Sequence, residues 1–188
     1  MNEFIIEEGN LKFDFTHCGI PVKFDLQNNN GLYTVDFFVD KEKYLLFIEV
    51  KDYQNPNTPD TQRNDDFNML LNAGRAEETI FAIKMGSKIK DSLLSLYAKG
   101  NVFTKNVVYL LFINFDDLKA AERQLLFDRI CGQIPTGLNN DLFTAFKEIK
   151  FKLVNAERLR KYGVICTSKI SDQEGVHSSA ADNTYYRP

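Results

Sequence analysis

The chain of 188 residues has no tryptophan, two histidines and three cysteines. Cys18, Cys131 and Cys166 are odd in number, far apart and set among apolar neighbours. That pattern excludes a disulfide framework and a paired-cysteine zinc site, and marks reduced core thiols. His17 and Cys18 are adjacent, so on a strand they face opposite sides and make no nucleophile and base pair. No apolar run is long enough to cross a bilayer, and the first residues lack the basic, apolar and small-residue order of a signal peptide, so a cytoplasmic protein with no membrane partner is expected. Strong charge of either sign is absent as well. A formal net charge of −3 rules out coating a polyanion by bulk electrostatics, so any such partner has to meet a local patch. There is no phosphate-cradling glycine loop with its lysine, no Rossmann glycine pattern and no internal repeat.

What the chain does have is 44% apolar residues and sixteen phenylalanines, enough for the core of one domain over residues 1–170. Residues 171–188 lack apolar periodicity and read as a flexible tail. Phe4 to Glu7 and Leu11 to Phe15 are strand-like runs about the turn Glu8-Gly9-Asn10, and Pro21 to Leu26 is a third. From Thr34 to Tyr53 two apolar strands are joined by the charged turn Asp40 to Lys43. Tyr44 to Ile48 is apolar on both faces, as in a strand covered on both sides.

After a proline-containing loop, Asp52 to Asp60, the spacing predicts helix from Asp65, broken at Gly86-Ser87 into two and stopped at Gly100-Asn101. Val107 to Phe115 is a second doubly apolar strand, reached by a helical crossover and so parallel to the earlier one. A helix capped by Asp116 or Asp117 follows, with Leu118, Ala121, Leu125 and Ile130 on its apolar side. Helix over Leu142 to Ile149, strand over Phe151 to Val154, helix over Ala156 to Tyr162 and strand over Val164 to Thr167 complete the pattern. The fold class is α/β, with a central mixed β-sheet flanked by helices, antiparallel at its start and parallel after the crossover.

Chemistry concentrates at one strand end. Side chains alternate along a strand, so Glu49 and Lys51 share a face, and the hairpin brings Asp36 near Glu49. Two carboxylates can hold Mg²⁺, which supplies positive charge against a developing phosphorane and an activated water; a neighbouring lysine adds a proton donor. The structural alternative is a strand cap beside a partly exposed ion pair, worth little.

Val35-Asp36, the hairpin, and Phe47-Ile48-Glu49-Val50-Lys51-Asp52-Tyr53 resemble the core of the PD-(D/E)XK nuclease superfamily, which includes restriction endonucleases and Holliday-junction resolvases. The resemblance implies a restriction-endonuclease-like core with an extra N-terminal hairpin, Mg²⁺ (or Mn²⁺) held by Asp36, Glu49 and the backbone carbonyl of Val50, and Lys51 assisting the attacking water. It implies nucleic acid as substrate, DNA more than RNA, and a homodimer for cutting both strands. Family members usually carry a helix before the first core strand, often with an acidic residue that joins the metal. Here that region is strand-like, and Glu7, Glu8 and Asp25 are the candidates. The rival reading is a catalytically inactive subunit on the same fold that binds nucleic acid or protein.

Lysines cluster in one segment, Lys84, Lys88, Lys90, Lys99 and Lys105, with only Asp91 opposing them. A second cluster is Lys147, Lys150, Lys152, Arg158, Arg160 and Lys161. As phosphate contacts, Lys84, Lys88, Lys90 and the loop residue Arg63 are the candidates; otherwise these are solvated faces.

Overall fold

A computed structural model describes residues 4–24, 31–56, 58, 59, 61, 75–100, 105–115, 119–135 and 149–169. Strands β1 (Ile5–Glu8) and β2 (Leu11–Asp14) form an antiparallel hairpin, turned by Gly9 at φ 55°, a conformation that favours glycine. β3 is only Val22–Lys23, shorter than the run expected from Pro21 to Leu26, and pairs antiparallel with β4 (Phe37–Asp40). β4 turns back antiparallel onto β5 (Tyr44–Asp52). Helix α1 (Arg75–Ala98) crosses over to β6 (Asn106–Asn114), which runs parallel to β5. Helix α2 (Ala120–Cys131) precedes β7 (Ile149–Val154), parallel to β6. A short helix α3 (Ala156–Arg160), capped by the Asn155 side chain, leads to β8 (Ile165–Ser168).

The strands form a mixed five-stranded sheet, β3-β4-β5-β6-β7, and a three-stranded sheet, β1-β2-β8. The N-terminal hairpin therefore gains a third strand from the far end of the described chain, through β2 and β8 antiparallel pairing. Each face of the large sheet has its own core. On one, Leu45, Phe47, Tyr109 and Leu111 pack under Met85, Ile89 and Leu93 of α1 and Leu126 and Ile130 of α2. On the other, Leu46, Ile48, Val50, Leu110 and Phe112 meet Phe13, Phe15 and Cys166 of the small sheet. Phe13 locks the two sheets, with its ring centroid 5.3 Å from that of Phe37 and 5.7 Å from that of Phe112. This double cover is why β5 and β6 read as apolar on both sides.

Gly86 does not break the helix. α1 runs straight through Gly86-Ser87, because the glycine serves a close approach: a Cβ there would lie 2.6 Å from Gln133 Cβ and 2.8 Å from its carbonyl oxygen. The apolar side of α2 is also offset from expectation. Leu126 and Ile130 are buried, whereas Ala121 and Leu125 are exposed; two adjacent leucines cannot both face the sheet, and composition does not choose between them. Lys119 occupies the N-cap position of α2, with its N–H donating to Glu122 Oε2 at 2.9 Å. Asp116, Asp117 and Leu118 lie outside the described residues, as do the tail and 142–148 of the helix expected over Leu142 to Ile149; Ile149 itself opens β7. Cys18, Cys131 and Cys166 are free, the first and last of them buried. No helix among the described residues is long and apolar enough to cross a membrane.

Candidate active site

Phe37 pairs with Ile48 in the β4 and β5 register, so Asp36, one residue upstream, arrives opposite Glu49. Asp36 Oδ2 accepts the Val50 N–H at 2.6 Å, which locks its carboxylate against β5. Glu49 shares the sheet face of Phe47 and is fully buried. Lys51, two residues on and so on the same face, places Nζ 2.7 Å from Glu49 Oε1.

A fourth charged group comes from α1. Lys88 Nζ lies 2.8 Å from both Glu49 Oε1 and Glu49 Oε2, and 3.7 Å from Asp36 Oδ1. Its helix is tied to the strand that carries Asp36. Ser92 Oγ accepts the Val35 N–H at 2.9 Å and donates to the Lys88 carbonyl at 2.7 Å. One position earlier, Asp91 Oδ2 accepts the Tyr33 N–H at 2.9 Å. One helical turn is thus bonded to Tyr33 and Val35, and Lys88 on that turn reaches both carboxylates. Below it, the buried Tyr109 hydroxyl donates to the Met85 carbonyl at 3.2 Å.

Burial first, and then the neighbouring charge of Glu49, push the Asp36 carboxyl up to about 7, against the pull of Lys88, the Val50 N–H and Lys51. The Tyr109 hydroxyl is held well above its ordinary range by burial and by the same two carboxylates. Paired carboxylates disfavour each other's ionisation, and here the Lys88 and Lys51 ammonium groups supply the opposing charge. Lys51 and Lys88, which pair with the acids, line a cleft of about 480 Å³ together with Val50, Asp52, Lys84, Tyr33, Tyr53 and Phe81, while the Asp36 and Glu49 side chains lie behind them and are not among its lining residues. Tyr33 is 69% exposed at its mouth.

Asp36, Glu49 and Lys51 are therefore brought together as the hairpin predicts. Val50 turns its side chain to the opposite core while its N–H engages Asp36. Lys84 lines the cleft. Lys88 lines the cleft as well, and its ammonium is the ion-pair partner of both acids. Lys90 is exposed on α1 and is not among the residues lining this cleft. Lys99 lies over the Phe24 ring, 5.2 Å from its centroid. Lys105 bonds Asp40 and the Lys41 carbonyl, at the opposite end of β5. The first lysine segment thus disperses instead of forming one patch. Arg63 lies outside the described residues, as does Asp25. Glu8 pairs with Lys23 and Glu7 with Lys169, both at 2.7 Å, so neither of these acids joins the site.

The signal for Lys88 was present in the helix pattern. It sits three residues after buried Met85 and four before buried Ser92, a charged side chain on an otherwise core-facing stripe. Among the described residues no group of three or more His, Cys, Asp or Glu side chains gathers to hold a metal. The two carboxylates nevertheless fit a hard divalent cation. Their oxygens already converge on one positive charge, the Lys88 ammonium, and Mg²⁺ commonly takes one or two carboxylates and completes its shell with water and phosphate oxygens.

No family model, curated protein or solved structure matches the chain. The functional reading rests on the geometry of these side chains.

Proposed function

We propose that the protein is a metal-dependent nuclease that hydrolyses phosphodiester bonds in nucleic acid, DNA more than RNA. The observation that carries this reading is the convergence of the Asp36 and Glu49 carboxylates on a single cation, with the Lys51 amine 2.7 Å from Glu49 at the wall of an open cleft. Asp36, Glu49 and the Val50 carbonyl would hold Mg²⁺, or Mn²⁺ in its place. When bound, the ion supplies positive charge against the developing phosphorane and makes its water more acidic.

The chain's own residues do the rest. The Val50 N–H fixes Asp36 in orientation. Lys51 donates one N–H to Glu49 and, with a side chain 29% exposed, has donors left to orient a water or a phosphate oxygen in the cleft. Lys84 adds a point charge at the cleft wall, and Tyr33, Tyr53 and Phe81 offer ring surface to bases or sugars.

One observation favours the second reading, a nuclease-like fold that binds without cutting: Lys88 already neutralises the acid pair from within the protein. Plasmid nicking separates the two. Purified protein with Mg²⁺ or Mn²⁺ is expected to nick supercoiled plasmid, and Glu49→Gln or Lys51→Met to abolish it. Binding of nucleic acid in EDTA with no cleavage of any substrate selects the non-catalytic reading. Cutting both strands of a duplex with one such site calls for two copies of the chain, which sedimentation in the presence of duplex would show.

A further inference from the structure

We propose that a second groove, between α2 and the outer strand β7, holds the phosphate backbone of the same nucleic-acid strand through Arg123, Lys152 and Arg158. This rests on the nucleic-acid reading of the site, but not on catalysis or on a metal.

The groove has a volume of about 430 Å³, and three cations line it with no carboxylate among the lining residues. Its construction follows from local pattern. Arg123, Gln124 and Phe127 fall on one stripe of α2, at the spacing that puts side chains on one helix face. Phe127 anchors that stripe by stacking on Phe151 of β7, with centroids 5.4 Å apart and planes 22° from parallel. The polar members are thereby left at the rim. β7 alternates, with Phe151 and Leu153 buried and Lys150 and Lys152 exposed. Asn155 Oδ1 accepts the Arg158 N–H at 3.0 Å, fixing the first turn of α3 and with it the base of the Arg158 side chain.

The strand register sets the distance to the carboxylates. Glu49 pairs with Leu111, and Leu111 with Leu153, so the groove stands level with the acid pair, two strand spacings away, or ~10 Å. Arg123 also borders the hollow at the ends of β6 and β7, beside Ile113, Phe115 and Asn155, and so stands between the two clefts. Neighbouring phosphates of one strand lie farther apart than the axial rise of ~3.4 Å, because the backbone also winds about the axis, so a backbone with one phosphate over Glu49 would place another at the groove within about two nucleotides. Two guanidinium forks suit phosphate oxygens, which they can grip with paired hydrogen bonds. The groove also explains how a chain of net charge −3 would hold a polyanion: by a short local row of cations at the carboxyl edge of the sheet, where open α/β folds place their ligands.

The test is binding of a fluorescein-labelled oligonucleotide, single-stranded and duplex, to the full chain in EDTA across a salt series. The combined variant Arg123→Glu, Lys152→Glu, Arg158→Glu is expected to bind at least about tenfold more weakly. Its log K against log salt is expected to be shallower by about two to three, each of the three lost phosphate contacts removing roughly 0.7–0.9. The combined glutamine variant, checked for a wild-type melting curve, gives the same direction should charge reversal disturb folding. A folded combined variant with wild-type affinity and salt slope overturns the groove, and so does a wild-type chain that binds neither oligonucleotide. Wild-type protein that binds but never cuts, while the combined variant loses binding, ends the nuclease reading and leaves the groove standing. Cutting by wild type alongside undiminished binding by the combined variant does the reverse.

Discussion

Lys88 Nζ stands 2.8 Å from each carboxylate oxygen of Glu49 and 3.7 Å from Asp36 Oδ1. The two acids come from neighbouring strands and the amine from a helix, so three separate segments meet in one buried charge cluster. Glu49 has no exposure to water, and its charge is tolerated because two ammonium groups reach it. Any divalent cation on these carboxylates has to displace or push aside the Lys88 amine.

That competition makes Lys88→Met informative. Removing a positive charge about 4 Å from a divalent ion is worth on the order of 8 kcal/mol at an effective dielectric of about 20, so a tenfold tightening of Mn²⁺ binding is a conservative expectation. The melting temperature should fall without metal, because the acid pair loses its counter-ion, and recover when Mn²⁺ is added. Titration calorimetry and thermal scans read both. Unchanged Mn²⁺ affinity would show that amine and metal do not share the position.

Stability should depend on pH through Asp36. Its carboxyl is raised from 3.8 to about 7 in the folded chain by burial and by Glu49. Between those values the folded state keeps a proton that the unfolded chain has released. The contribution of Asp36 is therefore whole below about pH 4, shrinks as pH rises through 7 and levels off above. Asp36→Asn keeps an acceptor for the Val50 N–H but cannot ionise, so its stability relative to wild type should climb from pH 5 to pH 8. Urea unfolding of both proteins across that range checks the sign.

Gly86→Ala sets helix propensity against packing. In an exposed helix interior the change would gain up to about 1 kcal/mol. Here the new methyl would lie 2.6 Å from Gln133 Cβ, and overpacking of this kind costs about 1–3 kcal/mol. A lowered denaturant midpoint with an unchanged m-value is expected, and a stabilised variant would mean that α1 and residue 133 can separate freely.

Ser92→Ala removes the acceptor of the Val35 N–H at a fully buried position. An unsatisfied buried donor costs about 1–3 kcal/mol. Equilibrium unfolding should show a loss of that size, and Ser92→Thr, which keeps the hydroxyl, should recover part of it.

Much of this was legible because it is local. The doubly apolar runs at Tyr44 to Ile48 and Val107 to Phe115, the charged turn Asp40 to Lys43 and the alternation that sets Glu49 and Lys51 on one face each depend on neighbours a few residues away, and they specify the hairpin, the parallel crossover and the meeting of Asp36 with Glu49. Gly86 misled for the same reason: a glycine followed by a serine is a local breaker, and nothing within a few residues reports that Gln133 packs against it.

The amino-acid sequence alone therefore determined the mixed α/β sheet and the strand end where Asp36, Glu49 and Lys51 gather, since backbone periodicity and hairpin register need no distant information. Tertiary structure alone decided which acids the charged interruption of the α1 stripe at Lys88 would meet, that β8 returns to β2, and that Arg123 joins Lys152 and Arg158. Each of those partnerships links segments far apart in the chain and exists only once α1, α2 and the strands have packed, so no spacing rule along the sequence encodes it.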